Sequence, residues 1–294
     1  MANFEYKERC VRECLDSTML QSLRDRARRW AGRSPRSDRE VLPGETIHFH
    51  CNVCSGENTK SYEQLDREKP SCDRCGSNVR FRWIVHAVST SMLGSSLPLK
   101  RFPVRRRIHG IGLSDWDGYA VTLARCFTYT NTFFHTEPLL DISDISEDRK
   151  GLYDFVIATE VLEHVVPPVD VALANLFRLL KPGGVAIITV PWFGEVTREH
   201  YPDLFDYRVV ESDGKWQVHN RTRDGRTQVF DNPCFHGGPG TTLEMRLFSG
   251  ADLVRRLEKV GFEKVEICRP TVREYGIVFQ ETWSLPMIAY KARS

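Results

Sequence analysis

An α/β fold with a mostly parallel central sheet is the architecture this sequence predicts, from three observations. The segment Tyr153–Pro191, YDFVIATEVLEHVVPPVDVALANLFRLLKPGGVAIITVP, reads as strand, helix, strand. Upstream, a short strand would lead into Gly110-Ile111-Gly112, the kind of turn that lets a backbone approach a nucleotide-like ligand. Downstream, Leu247–Val265 reads as a capped helix followed by a strand. Parallel strands need crossover connections of this kind.

The β-α-β unit is set by its pattern. Phe155–Ala158 is a continuous apolar run. Val169, Ala172, Leu173, Leu176, Leu179 and Leu180 recur at helical spacing, and Lys181-Pro182-Gly183-Gly184 stops the helix. Val185–Val190 is the second apolar run. Ligands in open α/β sheets lie beyond the carboxyl ends of the strands, which are here Thr159–His164 and Pro191–Phe193.

At the start of the chain, Asn3–Trp30 reads as a helix with a weak apolar stripe, and Ala31–Gly44 as a linker rich in Gly, Ser and Pro. Residues 1–44 form the first predicted unit. The second, 45–99, contains Cys51-x-x-Cys54 and Cys72-x-x-Cys75 with seventeen residues between the pairs. Two such knuckles supply four thiolates, the shell of a structural Zn2+ with no position open to substrate. His48 and His50 lie close enough in sequence to be substitute ligands. A helix is predicted over Val79–Met92. The third unit, 100–294, opens on a basic cluster, Lys100-Arg101 and Arg105-Arg106-Arg107, which reads more simply as a solvated face than as a phosphate site.

After the glycine turn, Tyr119–Arg125 is a short helix and Phe127–Phe134 a strand. Glu137 and Asp141 follow; an acid about 20 residues past a glycine turn bonds ribose hydroxyls in nucleotide-binding α/β folds, and either residue fits. Between Trp192 and Met245, Tyr207–Val210, Lys215–Thr222 and Arg226–Phe230 alternate as strands around turns at Ser212-Asp213-Gly214 and Arg223-Asp224-Gly225. This β-meander insert, 192–245, is placed to overhang the strand ends. In the tail, Ser249 caps a helix ended by Gly261, and Phe262–Ile267, Ile277–Glu281 and Met287–Tyr290 are strand candidates.

Composition narrows the function classes. A net charge of +2 with 27% charged residues does not suggest a nucleic-acid binder. No apolar run approaches the length of a membrane span, and the charged N-terminus lacks a signal-peptide core. Nine cysteines, four of them spaced as metal ligands, fit a reducing cytoplasm better than a disulfide scaffold.

HGIGLSDW, LDI, YDFVIATEVLEHV, LFRLLKPGG and ITVP, in that order, resemble class I S-adenosylmethionine-dependent methyltransferases of the E-V-L-E-H box group, here with an N-terminal four-cysteine zinc module. The resemblance covers about 105–190 and the tail. It implies a Rossmann-like, seven-stranded-type sheet. The spacing from Glu137 to Asp141 is too short for the usual helix and strand, so one β-α unit is expected to be shortened. The family usually carries an acid just before this motif and three glycines, where this chain has His109 before Gly110 and only two glycines; Asp115 stands where a G-x-G-x-x-G turn would have its third glycine.

By the same resemblance, Gly110, Gly112 and Ser114 would underlie the methionine and ribose of S-adenosylmethionine, and Glu137 would bond the ribose. Asp141 and Ile142 would lie near adenine, with Thr159, Glu160 and His164 on the methionine side. The expected acceptor is a small polar molecule methylated on a hydroxyl or amine. His200 beside Glu199, and His236, are candidates to take its proton. Two alternatives stay open: an RNA methyltransferase gripping RNA with its zinc module, and a non-catalytic zinc-binding adaptor.

Overall fold

The computed structural model describes residues 40–293; the predicted helix Asn3–Trp30 and most of the linker lie outside them. The chain opens on a hairpin of β1 (Thr46–His50) and β2 (Glu57–Ser61), followed by helix α1 (Val79–Leu93). Asn78 caps α1 by accepting from Phe81 N–H, and Gly94 ends it in the left-handed conformation.

The central sheet begins with β3 (His109–Leu113), continues through helix α2 (Asp117–Cys126) to β4 (Thr128–Thr132), and then to β5 (Tyr153–Thr159). Helix α3 (Val169–Leu179) crosses to β6 (Leu180–Thr189). After the insert come helix α4 (Gly250–Lys259), β14 (Lys264–Ile267) and β17 (Met287–Tyr290). The strand order is β14-β17-β6-β5-β3-β4. β4, β3, β5 and β6 are mutually parallel, and β17 runs antiparallel to both its neighbours. β5 is covered on both faces, which is why Phe155–Ala158 reads as an unbroken apolar run.

The expected shortening is visible in detail. Instead of a helix and a seventh strand, the chain turns back at once: Phe133 N–H donates to Pro138 O and Leu140 N–H to Phe133 O, leaving one parallel bridge, Phe133 to Leu139. The sheet thus has six strands among the described residues. A second departure concerns Lys181–Gly184, expected as a helix stop. Helix α3 ends at Leu179, and these residues form an irregular start to β6, where the register jumps from Tyr153↔Leu180 to Phe155↔Val185 and Gly183 adopts φ +76°.

One face of the sheet packs on α1, α2 and the N-terminal hairpin: Phe49, Leu65, Trp83 and Ile84 share a core with Phe127, Phe155 and Ile187. The other face packs on α3 and α4 through Leu173, Leu176, Leu253 and Leu257. The cysteine-bearing segment is therefore built into the main core. Arg82, fully buried, stitches it to the C-terminal region by donating to Ser77 O, Ser71 Oγ and Gly276 O.

The insert holds β7 (Arg198–Glu199), the meander β8 (Asp206–Ser212), β9 (Lys215–Arg221) and β10 (Thr227–Asp231), and a small hairpin of β11 (Phe235–His236) and β12 (Thr242–Leu243). β13 (Arg246–Leu247) returns to pair with β7. Tyr201, Leu204, Val218, Phe235, Leu243 and Met245 give the insert its own small core. Asp213 and Gly214, both at positive φ, make the tight turn between β8 and β9. In the tail, Ile277–Val278 (β16) pairs with Thr271–Val272 (β15) outside the central sheet, where a longer strand, Ile277–Glu281, was expected.

Candidate active site and metal centre

The parallel strands end together, and the chain leaves two of them through strained residues. Ser114, just past β3, has φ +59°, and Glu160, just past β5, has φ +55°. Neither is glycine, so the fold must impose these conformations, which is a mark of functional sites. Ser114 N–H donates to Thr132 O and Glu160 N–H to Thr189 O, so each turn is clamped to the end of the adjacent strand.

Gly110 and Gly112 sit on the face of β3 turned toward β1 and α1. A Cβ at Gly110 would collide with the Phe155 ring, and one at Gly112 with Tyr129 Oη and Asp115 Oδ2. Asp115 is nine-tenths buried or more. It accepts from Tyr119 Oη at 2.8 Å and from Tyr129 Oη, while Asn131 bonds both its N–H and its C=O. Burial pushes its carboxyl up to about 7, against the opposing pull of the two phenols. The residue at the third-glycine position of a G-x-G-x-x-G pattern is thus the centre of a buried polar cluster just past β3, which spacing alone does not reveal.

Among the other cofactor-side candidates, Thr159 is buried at the end of β5, and Glu160 accepts from Thr189 Oγ1 at 3.0 Å and from Arg67 Nη2 at 2.6 Å. Glu137 is exposed and accepts from Leu139 N–H. Asp141 accepts from the N–H and Oγ of Ser143. Ile142 is buried, with its carbonyl held by Asn175 Nδ2. Glu137, Asp141 and Ile142 lie on the abbreviated segment after β4, whose last residue, Thr132, pairs with Leu113 at the end of β3.

The insert docks on the loop after β5. Met245 N–H donates to Glu163 O, and Arg246, fully buried, donates from Nη1 to Leu162 O at 2.8 Å and Val165 O at 2.7 Å. His164 Nδ1 lies 2.6 Å from Leu243 O. A carbonyl can only accept, so Nδ1 carries the proton, and in the neutral ring Nε2 holds the lone pair. That Nε2 lies 3.8 Å from Glu163 Oε1, and the His164 and His236 rings meet edge-to-face at 5.0 Å. Donor atoms of Glu163, His164 and His236 all fall within 4.8 Å of one another.

The remaining proton-transfer candidates have other engagements. Glu199 pairs with Arg246 Nε at 2.8 Å. His200 turns inward: its Nε2 is buried and lies 3.8 Å from Glu244 Oε1, in a group with Cys234. In the basic cluster, Arg106 donates from Nη1 to Ala124 O and Phe127 O, a structural use of its charge.

The four cysteines come together as the spacing requires. Cys51 and Cys75 sulfurs are 3.7 Å apart and those of Cys54 and Cys72 3.6 Å, against about 3.8 Å for the edge of a tetrahedron with metal–sulfur bonds of about 2.3 Å. The two knuckles repeat each other: Ser55 N–H bonds Cys51 O and Gly76 N–H bonds Cys72 O, with Ser55 and Gly76 both at positive φ. The thiols fit one tetrahedral ion. His48 takes no part, its Nδ1 bonding Thr59 Oγ1.

A family model described as a methyltransferase domain matches residues 105–267. No curated protein matches the chain. Among solved structures, a 1,6-didemethyltoxoflavin N1-methyltransferase from Burkholderia thailandensis is 16% identical, covering 71% of this chain and 77% of its own with a TM-score of 0.41. A sugar N-methyltransferase from Streptoalloteichus is 13% identical, covering 89% and 100% with a TM-score of 0.42. An amino pentose methyltransferase from Micromonospora echinaspora involved in calicheamicin biosynthesis is 13% identical, covering 71% and 89% with a TM-score of 0.40. No helix among the described residues is long and apolar enough to cross a membrane.

Proposed function

Because the chain belongs to the methyltransferase-domain family, we propose that it is an enzyme moving the methyl group of S-adenosylmethionine to a hydroxyl or amine of a small polar acceptor, a sugar or a biosynthetic intermediate. The observation that carries this reading is the docking of the insert on Leu162–Val165, which roofs the carboxyl ends of the parallel strands. Ligands bind at those ends, and a roof there excludes water from a transfer.

Ser114, Thr159 and Glu160 line the methionine side, with Gly110 and Gly112 of β3 beneath. Glu137 or Asp141 takes the ribose hydroxyls, and Ile142 borders the adenine. The cofactor supplies an activated methyl; the chain orients the two reactants in line. The Glu163–His164–His236 group promotes loss of the acceptor's proton. This is favoured over His200 and Glu199, whose side chains face Glu244 and Arg246. The four cysteines hold one structural zinc, whose role is to fix the N-terminal segment against the sheet.

The test is methyl transfer from labelled S-adenosylmethionine into a panel of hydroxylated and amino-substituted sugars, with transfer RNA as the competing acceptor. Label in a small molecule supports the reading; label in RNA alone overturns the acceptor class.

A further inference from the structure

We propose that Glu163, His164 and His236 form a divalent-metal site, separate from the four-cysteine centre, that binds and acidifies the acceptor's hydroxyl. The inference rests on the methyl-transfer reading and narrows it from hydroxyl or amine to hydroxyl.

The geometry is that of metal ligands. The three donors come from two segments, the loop after β5 and strand β11, and meet within 4.8 Å. His164 donates from Nδ1 to the Leu243 carbonyl at 2.6 Å, the outer contact that fixes a ligating imidazole and points its other nitrogen at the ion. The Nε2 lone pair so directed faces a carboxylate oxygen at 3.8 Å, too far for a hydrogen bond and within the roughly 4 Å that two bonds of about 2.0–2.1 Å to a shared ion can span. Two imidazoles and a carboxylate suit a first-row transition ion and differ from the thiolate cage, so the two sites sort ions by softness. Three protein donors leave coordination positions open, as in metal sites that act on substrate.

The position is also right. The loop bearing Glu163 and His164 follows Glu160 at the strand end, and His236 hangs from the insert that roofs it. A hydroxyl bound to the ion becomes more acidic, as metal-bound water does. Its proton passes to solvent water. A lone pair on the resulting oxygen forms the bond to the methyl carbon as the carbon–sulfur bond breaks. That bond's electron pair stays on sulfur, turning the sulfonium into a neutral thioether. An alkoxide keeps lone pairs for attack while coordinated; a coordinated amine does not, which is why the site selects oxygen.

The experiment is titration of full-length protein carrying one zinc per chain, enough for the four thiolates alone, with Mn2+, reading free ion by electron paramagnetic resonance. Mn2+ is too hard to displace zinc from four thiolates. The expected result is one Mn2+ bound per chain, with affinity lowered at least about tenfold in His236→Asn and in Glu163→Gln, and unchanged in His219→Asn, a meander histidine outside the cluster. A wild-type protein that leaves the free signal undiminished, or variants that bind as wild type does, would overturn the site. Calorimetry with S-adenosylhomocysteine on the same samples separates the two claims. Nucleoside binding without Mn2+ binding removes only the metal; loss of both removes the methyl-transfer reading too.

Discussion

Arg67 Nη2 lies 2.6 Å from Glu160 Oε1, and this ion pair joins the cysteine-bearing segment to the carboxyl end of β5. The side chains are 17% and 7% exposed. Arg67 also donates to Ser284 O at 3.1 Å and pairs with Glu68, which in turn holds Arg80. Burial depresses the Arg67 guanidinium, but the carboxylates of Glu160 and Glu68 outweigh it and the net shift is upward. The N-terminal segment thus reaches the place where the cofactor is proposed to bind.

Breaking this pair from one side leaves a buried charge. Arg67→Met is expected to cost about 3–5 kcal/mol of stability and to weaken S-adenosylhomocysteine binding. The double variant Arg67→Met/Glu160→Gln should recover part of the stability, since neither charge is then stranded. Urea denaturation of the single and double variants measures both; equal costs would mean that the pair is not coupled.

Removing zinc should act at the same distance. Strong chelation, or Cys72→Ser, is expected to cost several kcal/mol and lower the melting temperature by more than about 5 °C, with weaker nucleoside binding. Elemental analysis should find one zinc that survives dialysis in the wild type and none in the variant. A chain that melts identically without zinc would remove its structural role.

Asp115 predicts a pH dependence. Its folded pKa of about 7 lies above the unfolded value of about 3.9. The favourable contribution is therefore complete below about pH 4 and is lost as the pH rises to about 7. Asp115→Asn should flatten the stability change between pH 5 and pH 8 by about 2–3 kcal/mol. Denaturation at the two pH values checks this, and an unchanged slope would contradict it.

Gly112→Ala would drive a methyl group into Tyr129 Oη and Asp115 Oδ2. An overpacking cost of about 1–3 kcal/mol is expected, together with weaker cofactor binding, because Ser114 and the turn sit directly above the displaced cluster. Calorimetry alongside thermal melting separates these effects; cofactor affinity equal to wild type would place the cofactor away from this turn.

His236→Ala should slow methyl transfer by about 10²–10⁴-fold while leaving nucleoside affinity nearly intact. His200→Ala should cost less in turnover, because its Nε2 faces Glu244. Steady-state kinetics of the two variants decide the order; a larger loss in His200→Ala would return the proton-transfer role to that residue.

What the sequence made legible was the periodic part. The strand at Phe155–Ala158, the helix from Val169, the meander turns and the paired cysteines all follow from local patterns that the structure reproduces. Less legible were the residues whose roles depend on contacts across the chain. Arg67 meets Glu160 over 93 positions, and Arg246 meets Leu162 over 84. Nothing in their neighbourhoods marks them. The two glycines were readable as a close approach, but they lie within β3 rather than in a turn, and what approaches them in the structure is Phe155 and Tyr129. His200 looked like a base because Glu199 adjoins it in sequence; successive residues of a strand point to opposite faces, and Glu199 goes to Arg246 while His200 goes to Glu244.

The most direct test of the account is calorimetry of S-adenosylmethionine and S-adenosylhomocysteine binding to the full chain. The account predicts one site per chain for each, weakened by Gly112→Ala and by Arg67→Met. Binding of neither compound to correctly folded, zinc-loaded protein would contradict it and leave a non-catalytic scaffold as the surviving reading.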